Sequence, residues 1–138
     1  MNIHGVCVVQ DEGDVIADSI AWALRFCDSI HVWDLGSSDN TWEVLRSLAS
    51  DRVHVEQRNV PYRSALRGEV FKSMKQVVGL DDWIYILDAD EFLVGDPRPF
   101  LERAERHGKE LAGVWQVNFF PTEKDLARMK EIGDTRWC

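Results

Sequence analysis

The stretch Trp83-Ile84-Tyr85-Ile86-Leu87-Asp88-Ala89-Asp90-Glu91-Phe92-Leu93 decides the fold. From Trp83 to Leu87 every residue is apolar or aromatic, and the run stops abruptly at Asp88. So short an apolar run, rich in aromatic and β-branched residues and bounded by polar ones, reads as a strand. Asp88 and Asp90 follow at i and i+2, where the strand gives way to a turn, so both carboxylates can face one site. Hard oxygen ligands of this kind suit Mg²⁺ or Mn²⁺, ions that also bind substrate phosphates.

Upstream, apolar strand-like runs alternate with segments of helical period. Ile3 to Val9 is one strand and ends at Gln10-Asp11-Glu12-Gly13. Val15, Ile16, Ile20, Ala23, Leu24 and Cys27 then recur at helical spacing. Ser29 to Trp33 is a second strand, stopping at Asp34-Leu35-Gly36-Ser37-Ser38-Asp39. Thr41 can cap a helix whose inner face is Val44, Leu45 and Leu48. Val53 to Val55 is a third strand, and Leu66, Val70, Phe71, Met74, Val77 and Val78 mark the helix that leads to Trp83. Downstream, the pattern predicts a helix over 100–107, a fifth strand over 113–119 and a last helix over 123–132. Strands alternating with helices predict a three-layer α/β/α sandwich with a mostly parallel sheet.

Ligands of such sheets bind beyond the C-terminal strand ends. Those ends carry Asp11 and Glu12, Asp34, and Asp88 and Asp90. Five carboxylates at one edge repel each other unless a cation or hydrogen-bond donors compensate. Acids also favour strand-to-helix turns and helix N-termini, which accounts for Asp39 and for one of Asp11 and Glu12. That bland reading is weaker for Asp88-Ala89-Asp90, directly after a fully apolar strand.

Asp11-Glu12, then Asp34-Leu35-Gly36-Ser37-Ser38-Asp39-Asn40-Thr41, then Leu87-Asp88-Ala89-Asp90-Glu91-Phe92-Leu93 resembles the family 2 glycosyltransferases of the GT-A fold, in particular the subgroup whose metal motif reads Asp-Ala-Asp-Glu-Phe. Order and spacing agree over roughly residues 3 to 94. The resemblance implies a nucleotide pocket lined by Asp11, Glu12 and Asp34. It implies that Asp88 faces the ribose or a metal-bound water, and that Asp88 and Asp90 hold an Mn²⁺ or Mg²⁺ bridging the diphosphate. Arg67 falls where many members have an Arg-Asn pair and is implied to touch the diphosphate, with Gly68 in place of the Asn. The implied reaction is transfer of a sugar from a nucleoside diphosphate to a hydroxyl acceptor. The base that deprotonates the acceptor is not identified. Glu123 and Asp125 follow the predicted fifth strand, but a helix N-terminus explains them equally well. Family members extend well beyond that strand. The expectation is therefore a single nucleotide-sugar-binding domain over 1–138 that stops short of the acceptor side.

Composition narrows the alternatives. The 138 residues carry 16 Lys and Arg against 24 Asp and Glu, a net charge of −8. Such a balance argues against a nucleic-acid backbone as partner and suits an anion that arrives with a metal. Three scattered cysteines, Cys7, Cys27 and Cys138, make neither a disulfide framework nor a zinc site. No signal peptide is visible, and no apolar run approaches the ~20 residues of a membrane span, so a cytoplasmic location is expected. Trp22, Trp33, Trp42 and Trp83 fit core positions, and the four histidines share no metal spacing. Two other functions stay open. One is a non-catalytic nucleotide- or metal-binding module, a half-domain that covers an apolar sheet edge by pairing with a second copy. The other is an Asp-x-Asp phosphohydrolase, which usually carries the motif on the first strand and a Thr where Phe92 stands.

Overall fold

The computed structural model describes residues 1–118 and Lys124. The chain divides into two units, Met1–Pro97 and Arg98–Cys138. The first unit holds β1 (Ile3–Val9), α1 (Ile16–Ala23), β2 (Ser29–Asp34), α2 (Thr41–Leu48), β3 (Val53–Gln57), α3 (Leu66–Met74) and β4 (Trp83–Leu87). The second opens with α4 (Arg98–Arg106). β1 and β4 have the bounds their apolar runs predict. β3 runs two residues further than expected, because Glu56 and Gln57 stay in parallel register with Trp33 and Asp34.

All ladders are parallel and the strand order is β3-β2-β1-β4. The chain winds outward from β1 to β2 and β3, then returns across the sheet to place β4 on the other flank of β1. Right-handed crossovers put α1 and α2 on one face and α3 on the other. α1 packs on α2, and α3 on β1 and β2. Leu66, Val70 and Met74 of α3 bury with Val6, Trp33 and Leu35. On the opposite face Gly5 leaves room for Ile30 and Cys27, which an added Cβ would meet at 3.2 and 3.6 Å. Ile16, Ile20 and Leu45 are buried there too.

The winding direction reverses between β1 and β4. At such a switch point the loops after the two strands part, one toward each face, and leave a crevice at the C-terminal edge. Glu12 follows one of these strands, and Asp88 and Asp90 the other.

Two expectations need correction. The predicted fifth strand has no strand geometry over residues 113–118. Val114, Trp115 and Val117 there are exposed, Trp115 to 99%. An apolar run becomes a strand only where a neighbour supplies ladder bonds, and α4 is the one regular element its own unit offers among the described residues. Trp22 is not core but 37% exposed. Phe119 and the predicted helix over 123–132, apart from Lys124, lie outside the described residues, as do Glu123, Asp125 and Cys138.

Candidate active-site cleft

The loops after β1 and β2 are tied to each other through their acids. Asp11 adopts φ +56°, a left-handed conformation that Asp tolerates better than most residues. Its N–H donates to Ser37 Oγ at 2.9 Å. Its Oδ1 accepts from Ser38 N at 2.6 Å and from Asp39 N at 3.3 Å. Ser37 Oγ in turn donates to Asp34 Oδ1. Asp34 is 0% exposed, and its Oδ2 accepts from Gln57 Nε2 at 2.9 Å. One turn further, Glu12 N donates to Thr41 Oγ1 at 2.9 Å, and Gly13 N to Asp39 Oδ2 at 3.1 Å. Thr41 does not cap α2 as expected. It is the first helical residue, and Asp39 Oδ1 accepts its N–H at 2.9 Å. These donors hold the Asp39 carboxyl below its usual range, the Thr41 hydroxyl most of all. Gly36, at φ +88°, makes the bend between Asp34 and Ser37.

Asp11, Asp34 and Asp39 are thus occupied in a clasp between two loops, and none of the three lines the cleft. The cleft itself, about 290 Å³, is floored by Val8, Val9, Leu35 and Ala89. Glu12, Arg67, Asp88 and Asp90 supply its charged lining, and Gln10 and Tyr62 complete the wall. The structure therefore brings Glu12, Arg67, Asp88 and Asp90 together, and sets Asp11 and Asp34 behind them.

Arg67, in the first turn of α3, donates from a terminal guanidinium nitrogen to Asp88 Oδ1. Its Nε is buried with no partner among the described residues. Burial, then Asp90, then Asp14, Asp39 and Asp11 push the Glu12 carboxyl above its usual range. Glu91 is pushed up likewise by burial, then by Asp88 and Asp90, with Arg67 opposing. Behind the cleft the Cys7 thiol is pushed up to about 12, by burial first and Asp88 second, so it is no nucleophile at neutral pH.

The donor set suits a hard divalent cation. Among the described residues no three His, Cys, Asp or Glu side chains come close enough to hold an ion by themselves. Two carboxylates beside an open cleft fit an ion that takes its remaining oxygens from a diphosphate and water. The mutual repulsion felt at Glu12 and Glu91 is what such an ion would relieve.

Helix α1 braces the loop after β4. Ser19 Oγ donates to the Asp88 carbonyl at 3.5 Å, and Trp22 Nε1 to the Leu93 carbonyl at 2.8 Å. The Trp22 ring meets Phe92 edge-on at 6.1 Å. Sequence reasoning missed Ser19, Trp22, Gln10 and Tyr62. The last two were within reach of the rule that residues after parallel strands line the site.

The chain matches the family described as Glycosyl transferase family 2 over residues 7–137. No curated protein matches it.

Proposed function

Because the chain belongs to glycosyl transferase family 2, we propose that the cleft between β1 and β4 takes a nucleoside diphosphate sugar, whose sugar passes to a hydroxyl acceptor. One observation carries this reading: Glu12, Arg67, Asp88 and Asp90 line a single cleft at the point where the winding of the chain reverses. The anionic diphosphate needs cationic company in a chain of net charge −8. Arg67 offers it, with an unused Nε and a guanidinium aimed by Asp88. Asp88 and Asp90 would hold an Mg²⁺ or Mn²⁺. That ion, when bound, supplies Lewis-acid neutralisation of the departing diphosphate. The second Asp88 oxygen is left for a ribose hydroxyl or a metal-bound water.

The test is thermal unfolding with UDP or GDP, with and without Mn²⁺. Binding to the native state alone stabilises it by about 2.7 kcal/mol at a hundredfold excess over Kd. The expected result is a rise in Tm that needs the metal and is absent in Asp90→Ala. No shift with either nucleotide sinks the reading. Release of free phosphate instead of metal-dependent binding would turn it toward hydrolysis.

A further inference from the structure

Of the residues expected to line the nucleotide pocket, Asp11 and Asp34 hold the clasp and do not line the cleft, so within the cleft itself the base has no recognised contact. The lining of the cleft is graded along the sheet edge. Acids and Arg67 stand at the β4 and β1 end, Leu35 follows β2, and Tyr62 follows β3. A diphosphate is tolerated only at the end with Arg67 and room for a cation, so the base must extend toward β2 and β3. Three strand spacings, roughly 14 Å, separate β4 from β3, and the Tyr62 side chain reaches back over part of that span into the cleft.

Tyr62 is 56% exposed. Its ring and hydroxyl have no partner among the described residues. Its backbone is nevertheless held on both sides. Pro61 fixes φ just before it, Arg63 pairs with Glu69 at 2.8 Å, and the Arg63 carbonyl accepts from Leu66 N at 3.0 Å. A braced aromatic with a bare face beside an apolar floor is built to be covered. We infer that Tyr62 is the stacking platform for the nucleotide base and hence a determinant of donor affinity in this chain. The inference rests on the nucleoside diphosphate reading above.

The test is calorimetric binding in Mn²⁺ of UDP, GDP and pyrophosphate, the last lacking a base, to wild type, Tyr62→Ala and Tyr62→Phe. Loss of one base stack costs about tenfold or more in affinity. Tyr62→Ala should lose that factor for whichever nucleotide wild type prefers, Tyr62→Phe should keep wild-type affinity, and pyrophosphate should bind all three alike. Equal nucleotide binding by Tyr62→Ala, or an equal loss for pyrophosphate, overturns the role of Tyr62 and leaves the nucleotide reading standing. Wild type binding neither nucleotide overturns both.

Discussion

At the scale of single residues, the acids at the strand ends divide by what they touch. Asp34 is buried and accepts from Ser37 and Gln57, so Asp34→Ala empties a buried position and unties both donors that hold the two loops there. The expected cost is about 2–4 kcal/mol by urea unfolding. Asp90 is exposed, so Asp90→Ala should leave stability within about 0.5 kcal/mol while removing the Mn²⁺-dependent shift. Equal destabilisation by both would contradict the division. Glu12 gives a second check. Its raised carboxyl means that the folded state disfavours the charge, a penalty complete above the folded pKa and absent below the unfolded one. Glu12→Gln should therefore raise Tm at pH 7, and the gain should shrink toward pH 4. From the sequence alone Asp88 and Asp90 stood out, yet all five acids were expected to line one site. Chain position brought them to one edge, but whether a carboxylate faces the cleft or the neighbouring loop depends on Ser37, Gln57 and Thr41, which meet them only in the fold.

At the scale of elements, a row of polar side chains crosses the sheet at its N-terminal end. Asp82 Oδ2 lies 3.3 Å from His4 Nε2, His4 Nδ1 lies 2.8 Å from Ser29 Oγ, and Ser29 Oγ lies 3.3 Å from His31 Nε2. The His31 ring then stacks on His54 at 4.5 Å. Burial of Asp82 opposes its charge, but the N–H groups of Asn2 and Gly79 and the His4 ring outweigh it and hold the carboxyl well below its usual range. His31 is lowered to about 4, by burial first, then by His54 and His4. Between pH 6.5 and about 4 the unfolded chain binds the His31 proton and the folded one does not. Stability should then fall as the pH drops through that window. His31→Leu should flatten the loss between pH 6.5 and 5, read by urea midpoints. An unchanged slope would count against it. Histidines 27 and 23 residues apart look unrelated in the sequence, and only the parallel registers His4↔Ser29 and His31↔His54 align them. β4 was legible because its run is apolar from end to end, and β1 because only His4 interrupts its apolar run. The run at 113–118 carries Val114, Trp115 and Val117 beside Gln116 and Asn118 and is not a strand, since periodicity reports burial potential and says nothing of whether a ladder partner exists.

At the scale of the molecule, charge governs how a donor approaches. A chain of net charge −8 repels a nucleoside diphosphate before any contact forms. Arg67 alone, already engaged with Asp88, cannot offset both that field and the acids around the cleft. A cation carried in with the nucleotide removes most of the ligand's charge and compensates the carboxylates it meets. The two routes differ in their response to salt, whose screening length is about 10 Å at 0.1 M. In EDTA, UDP or GDP affinity should be weak and should improve as NaCl rises from 0.02 to about 0.3 M, because screening relieves repulsion. With saturating Mn²⁺ it should be stronger and should decline over the same range, because screening then weakens attraction. Titration calorimetry at four salt concentrations measures both slopes. Like signs with and without Mn²⁺ would mean that the metal does not reverse the electrostatics of the cleft, and the acids along the edge would need another reason to face one another.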